Sequence, residues 1–500
     1  MNNSMYKQSF KLLLYFLLLL LAARLTKGAA ATVIALFGVA FAIRGRIAKA
    51  LLIVVFLGIS VVTNSMLLPK ASIFYTIGVR VGPLLIMSII AAKGLGKSSN
   101  DQLPMGVMLL FLVVAGISSA MGYAPMISYM KLINFTVFFL GVWLGSNQLR
   151  GDVAGLRLLR AGFFAMTVYI IMGSVFLIPF PGLSTMEGLR LARASADEAA
   201  SAYMMQMREA FEQGGGAGLF CGIIYHSQAL AGISGCVFGW LICDFLFIEG
   251  RFRWPHFIVA LCAIPILYLT RSRVALLSFL VALFMVYFYL SKKVNIDRKT
   301  RRWLGSILFI GGVLLIAVAT ISEINDSRIS KWIRKTNEVK HDNRSITEAF
   351  TSSRQGLIEM CLFDFKQNPL FGMGFQVAYY TPDIQAETKG FAFSSPIEKG
   401  VWPVMVLGET GIIGEAVFLL FLLRFWYLGE CRRLFITVTL MTVFLATNLG
   451  EATFFSPGGA GGVEWLFSIL GGYVLDIHCK MRMAALWMAF GGRQVMRDGL

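Results

Sequence analysis

The chain has 500 residues, 57% of them hydrophobic and only 14% charged, with a mean hydropathy of +0.72. That balance excludes a soluble globular protein, because apolar runs of about 18 or more residues are long enough to cross a bilayer. The formal net charge is +18. Lys and Arg nevertheless sit mainly in short connectors between apolar runs, the positive-inside pattern, so no nucleic-acid partner is expected.

The apolar runs are continuous rather than alternating, which predicts spanning helices and not a barrel. The first run, 12–23, lacks a small-residue cleavage site and reads as a retained helix. Spans follow at 10–25, 29–43, 50–66, 73–92, 103–121, 127–146 and 161–178, making residues 1–178 an N-terminal set of transmembrane helices. The basic connectors Arg44-Gly45-Arg46, Lys93 to Lys97, and 147–160 with Arg150, Arg157 and Arg160 fall on one side, so the N-terminus is expected to be cytoplasmic.

Residues 179–221 form the first external loop, entered through Pro179-Phe180-Pro181-Gly182. Within it, 189–211 reads as an amphipathic helix on the membrane surface, or as a basic site built from Arg190, Arg193 or Arg208. Gly214-Gly215-Gly216 is a hinge or helix stop. Central transmembrane helices occupy 222–320, with spans at 222–247, 256–269, 274–290 and 303–320. The strongly basic connector 292–302 lies on the cytoplasmic side. A large polar loop, 321–400, follows, with a helix expected at 351–367 and turns at Asn368-Pro369-Leu370-Phe371-Gly372-Met373-Gly374. C-terminal transmembrane helices fill 401–479, with spans at 401–428, 434–449 and 463–477, and a cytoplasmic amphipathic tail fills 480–500. The expectation is an all-α polytopic membrane protein with about fourteen spans and one large external loop.

Several polar residues at external span ends could carry chemistry. Arg271 and Arg273 flank Ser272 between two apolar helices, at a depth where a charge is expensive unless used. Guanidinium groups suit phosphate oxygens, or both side chains snorkel to the surface. Helical spacing puts Arg354, Ile358, Cys361 and Phe365 on one face of the loop helix, so Arg354 either caps a carbonyl or faces a cavity. Glu398 and Lys399 end the loop just above the membrane. A carboxylate in a half-dry cleft can act as general base, and the same pair is also an ordinary solvated rim. His226 and Gln228 stand at an external span entrance, where a hydrogen-bonding cluster is the simpler role, and Glu451 could join the same cavity. No Walker loop, no metal-ligand spacing, no Asp-x-Asp near an external loop and no CxxC pair occurs, so no cofactor and no metal is expected.

Taken in order, these pieces resemble the O-antigen ligase and O-antigen polymerase superfamily of bacterial envelope proteins, over roughly 218–414. Gly218-Leu219-Phe220 with His226-Ser227-Gln228 is similar to the family's entry to its mid-chain span, and Ser272-Arg273 to its Ser-Arg span start. The helix with Arg354 leading into Asn368-Pro369-Leu370-Phe371-Gly372-Met373-Gly374, and then Glu409-Thr410-Gly411-Ile412-Ile413-Gly414, complete the set.

The resemblance implies a metal-independent, GT-C-like multi-span glycosyltransferase in the bacterial inner membrane, acting at the periplasmic face. Its donor would be a glycan on undecaprenyl pyrophosphate, and its acceptor a glycan or the lipid A core. Membrane lipid and a chain-length regulator or flippase protein would be further partners. Family arginines bind the pyrophosphate, which puts Arg273 and Arg354 beside it, with Arg208 standing in where Gly214 to Gly216 replace another arginine. The family's loop histidine is missing. Glu398, Lys399 and Gly400 stand in its place, so Glu398 takes the base role or the acceptor chemistry differs. Polymerisation of an exopolysaccharide or O-antigen repeat is favoured over ligation because that histidine is absent. A transporter or flippase for lipid-linked sugars would instead place charges at midplane and show two related halves. A non-catalytic assembly scaffold is a third rival.

Overall fold

The computed structural model describes residues 2–64, 67–68, 72–95, 105–185, 220–249, 253–270, 272–294, 302, 305–306, 346–378, 401–450 and 452–489. Those residues are helical apart from turns and isolated bridges, and the chain is an all-α polytopic membrane protein.

In chain order the helices are α1 (Asn2–Leu25), α2 (Ala29–Ile43), α3 (Ile47–Val62), α4 (Ile73–Leu95), α5 (Met105–Met121), α6 (Pro125–Gln148) and α7 (Val153–Phe176). After the first external loop come α8 (Ser227–Ile248), α9 (Trp254–Leu269), α10 (Arg273–Lys293) and the loop helix α11 (Ile346–Gln367). The chain ends with α12 (Val404–Cys431), α13 (Phe435–Asn448) and α14, which starts at Ala460–Trp465, passes a π turn at Leu466–Gly471 and continues as Gly472–Ala489. Eight of these are long and apolar enough to span a membrane, and five more are shorter apolar helices. They coincide with the expected spans, except that 303–320 lies almost entirely outside the described residues. So do the expected helix at 189–211 with Arg190 and Arg193, the hinge Gly214 to Gly216, and most of the loop 321–400.

Several boundaries differ from the sequence reading: α8 begins at Ser227 rather than 222, α11 begins at Ile346 rather than 351, and two further differences move charged residues. α7 begins at Val153 rather than 161, because Asp152 caps it by accepting from the Gly155 N–H at 2.8 Å. Arg157 and Arg160 therefore belong to the helix and not to a connector. α14 runs unbroken to Ala489, so the start of the amphipathic tail is continuous with the last span.

Outward faces carry exposed apolar side chains, among them Leu17, Leu21, Leu36, Phe37, Leu110 and Val113. Lipid tails are as apolar as leucine, so burial alone does not drive these helices together and close packing must. α4 and α6 show how. A Cβ added at Gly141 would stand 2.5 Å from the Met87 Cβ, so the backbones approach closely only because glycine is there. The densest part of the core is aromatic. Phe135, Phe454, Phe455 and Trp465 meet there, with Phe454 and Trp465 centroids 4.8 Å apart, and Phe418 of α12 joins them.

The two ends of the bundle differ in character. At one end, here the basic end, lie Arg44, Arg46, Arg150, Lys293 and Arg432. At the other, the loop end, lie the starts of α4, α6, α8, α10 and α12 and the polar segments after α11 and α13.

Candidate functional site

The loop segment after α11 is held to the bundle by backbone. Gly372 has φ +70° and Gly411, inside α12, has φ +64°, a region in which L side chains are strained. A Cβ on Gly372 would stand 2.4 Å from the Glu409 carbonyl carbon, and one on Gly411 would stand 2.3 Å from the Leu370 carbonyl. The two turns thus lie backbone against backbone. Met373 N–H donates to Gly408 O at 3.0 Å, Gly374 N–H to Glu409 O at 3.1 Å, and Ile412 N–H to Pro369 O at 2.9 Å. The opening at Gly411 is what frees the α12 carbonyls for these bonds. The Asn-Pro-Leu and Glu-Thr-Gly motifs are therefore two halves of one clasp, and that role accounts for their glycines.

A third element closes the clasp. Tyr123 N–H donates to Met373 O at 3.2 Å, and the Ser118 hydroxyl accepts from Gly374 N–H at 3.1 Å. The Tyr123 phenol donates to the buried Asp364 carboxylate at 3.2 Å. Burial, followed by that carboxylate, pushes the phenol up to about 12. Phe375 continues from the turn into the aromatic core, 5.2 Å from Phe455.

This clasp positions α11, and α11 carries Arg354 toward α8. The Arg354 Nη2 donates to the Gln228 Oε1 at 3.5 Å, a long hydrogen bond. Gln228 sits in the first turn of α8, whose N-cap is His226. The His226 Nδ1 accepts from the Gln228 N–H at 3.2 Å. With Nδ1 accepting, a neutral His226 carries its proton on Nε2 and presents a donor there. So the structure brings together Arg354, Gln228 and His226, three of the residues singled out from sequence.

Arg273 opens α10, whose N-cap Ser272 accepts from the Ala275 N–H at 3.3 Å. α10 runs alongside α8 in the same direction, with the Phe238 and Phe279 rings stacked at 3.4 Å. Both helices therefore start at the loop end, and the positive ends of both dipoles lie on the side of Arg273 and Arg354. Two guanidinium-bearing positions and two helix starts favour an anion at this end. Glu398, Lys399, Arg208, Arg271 and Glu451 lie outside the described residues.

Sequence reasoning passed over one buried acid here. Glu464 is 1% exposed and accepts from the Thr453 hydroxyl at 2.6 Å. It packs where a Cβ on Gly232 of α8 would come within 2.3 Å of its Oε1. A carboxylate near the start of a mostly apolar run, 460–475, was the available signal. Asn448 holds the turn above it, its Oδ1 accepting from the Thr453 and Phe454 N–H groups at 2.8 and 2.7 Å.

Residues 257–419 match the family model of the O-antigen ligase. That stretch is similar to the O-antigen ligase family and supports the superfamily read from the motifs. It holds Arg273, Arg354 and both halves of the clasp, while His226, Gln228 and Glu464 lie beyond its ends. No curated protein matches the chain.

Proposed function

We propose that this chain, on the strength of its similarity to the O-antigen ligase family, is a membrane glycosyltransferase that polymerises lipid-linked glycan repeat units at the periplasmic face of the bacterial inner membrane. The donor is a glycan on undecaprenyl pyrophosphate. The acceptor is the terminal sugar of a second lipid-linked glycan. Transfer of the donor glycan to a lipid A core, as by a ligase, is the second reading.

An acceptor hydroxyl attacks the anomeric carbon of the donor sugar. A new C–O bond forms as the bond from that carbon to the pyrophosphate breaks, and the lipid pyrophosphate leaves with the electron pair. Arg273 and Arg354 stabilise the negative charge that develops on it. Glu398 takes the hydroxyl proton. Gln228 and the His226 Nε2–H donate hydrogen bonds to sugar or phosphate oxygens, and Arg208, Arg271, Lys399 and Glu451 are assigned further substrate contacts from the sequence alone. No metal is needed, because the arginines supply the charge that a divalent ion supplies elsewhere.

The observation that carries this reading is the contact of Arg354 with Gln228, which sets a loop guanidinium over the start of α8 beside the start of α10. The test is turnover by the purified protein in liposomes with a lipid-linked repeat unit, followed on a gel. A ladder of growing chains without any core acceptor means polymerase, and product only with added lipid A core means ligase. Lipid flipping without product moves the assignment to a transporter. If Arg273→Ala and Glu398→Gln both keep full output at normal expression, the site assignment is wrong.

A further inference from the structure

The tip of the clasp faces away from the bundle. Pro369 and Leu370 are both exposed, Leu370 by 56%, so an apolar pair forms the tip of a turn that belongs to the polar loop. Its neighbours on the spanning helices are exposed and apolar as well. Ile412 of α12, whose N–H is bonded to the Pro369 carbonyl, is 54% exposed. Met121 closes α5 with its Sδ 4.0 Å from the Asn368 Nδ2, and Met126 follows at the start of α6, both exposed. These residues end the lipid-facing stripes of two helices. On α5 the stripe is Val113, Ile117 and Met121, and on α12 it is Leu423, Leu419 and Ile412, all exposed and at helical spacing.

Depth and hydrogen bonding agree with this continuity. Counting 1.5 Å per residue from Arg432 at the basic end, Ile412 stands about 30 Å along α12, the thickness of a bilayer's hydrocarbon core. Non-helical backbone at that depth is tolerated only where its polar groups are paired within the protein. The clasp meets that demand. Pro369 has no N–H to satisfy. The carbonyls of Pro369, Leu370 and Met373 accept from the N–H groups of Ile412, Ile413 and Tyr123 at 2.9, 3.3 and 3.2 Å. The N–H groups of Gly372, Met373 and Gly374 donate to backbone carbonyls, and that of Phe371 to the Asn368 Oδ1 at 3.3 Å. A turn surrounded by water could leave several of these groups to solvent.

We infer that the clasp tip is a membrane anchor, in which Pro369 and Leu370 enter the edge of the acyl-chain layer at the loop end and join Met121, Met126 and Ile412 in one lipid-facing patch. The partner is the lipid surface itself, met through apolar contact and not through a particular headgroup. Lys366 and Gln367, exposed just before the tip, stand in the headgroup layer, the arrangement of an interfacial anchor. The anchor fixes the C-terminal end of α11 against the bilayer and so steadies the arm that carries Arg354. Only that last consequence rests on the glycan-transfer reading.

Nitroxide labels on the full-length protein in phosphatidylglycerol–phosphatidylethanolamine liposomes test this, in a Cys431→Ser background that removes the exposed native cysteine. The labels go on Leu370→Cys, on Ile412→Cys, and on Gln355→Cys at an exposed polar position of α11. A polar nickel chelate is kept out of hydrocarbon, so the Leu370 and Ile412 labels should meet it about tenfold less often than the Gln355 label. The inference is overturned if the Leu370 label meets the chelate as often as the Gln355 label, whatever the Ile412 label shows. A phospholipid with a diazirine on its acyl chain gives a second reading on the unaltered chain. Adducts on the peptide that holds Pro369 and Leu370 support the anchor, and adducts confined to the spanning helices overturn it. Neither readout needs turnover, so failure of glycan transfer in liposomes would remove the polymerase assignment and leave the anchor in place.

Discussion

The basic end and the loop end of this bundle are held together by different means. At the basic end, side-chain charges do the fastening. The Arg160 Nε lies 2.6 Å from one oxygen of the buried Asp244, and the His256 Nε2 lies 2.8 Å from the other. The Tyr6 hydroxyl meets the His256 Nδ1 at 3.1 Å. Lys480 and Arg482 donate to the carbonyls of Arg432, Phe247 and Ile248. At the loop end the fastening is backbone to backbone, through Gly372, Gly408 and Gly411 and their neighbours. An end locked by its own ion pairs commits its charges to the fold. An end locked by glycine turns leaves that burden to the main chain, so its arginines can be selected for a ligand. Under the proposed function, the same residue type thus means structure at one end and chemistry at the other.

That contrast can be broken in order of expected effect. Gly411→Ala or Gly372→Ala should be the most damaging change, because each adds about 1–2 kcal/mol of left-handed strain to a direct backbone clash. The measure is the yield of monodisperse protein, and near-wild-type yield would mean the clasp is dispensable. Asp244→Ala should cost about 3–5 kcal/mol by leaving Arg160 without its buried carboxylate. Glycan output per folded molecule should stay unchanged, as read by unfolding in mixed micelles alongside the liposome assay. Arg273→Ala and Arg354→Ala should show the reverse pattern. Turnover should drop on the order of 10²–10³-fold, with stability shifted by less than about 1 kcal/mol. Lys293→Ala removes an exposed pair with Glu430, at 2.7 Å, and should change unfolding by only about 0.2–1 kcal/mol. Adding a chelator to the liposome assay should leave the rate where it was, whereas metal-dependent loss would remove the arginines from the role given to them.

Much of the fold was legible because spanning helices announce themselves as apolar runs of set length. Even the loop helix was readable from the spacing of Arg354, Ile358 and Cys361, and Cys361 is buried where α11 meets α12 at Gly408. The start of α7 was misjudged because Asp152 acts as a cap, a local effect that hydropathy averages away. The two glycine motifs were visible as family signatures, but nothing in one dimension said that they bind each other across 35 residues and more. Lys131 and Glu464 are charges within apolar runs, and Asp364 is one acid among many in a polar loop, so none of the three was singled out. Their surroundings were not legible, because these are supplied from far along the chain. Lys131 reaches Gln376 across 245 positions and Asp364 reaches Tyr123 across 241. Such pairings are decided by how helices pack, which a single sequence does not encode locally.

The clasp lies at the C-terminal end of α11, whereas Arg354 lies fourteen residues upstream of Asn368. At 1.5 Å per residue, that is a lever arm of about 21 Å. A tilt of about 5° at the anchored end sweeps the guanidinium through about 2 Å, comparable to the difference between touching a phosphate oxygen and missing it. The reach of Arg354 is therefore set at a hinge well away from the proposed site, and a change confined to Pro369 or Ile412 can retune it without altering any residue near Gln228.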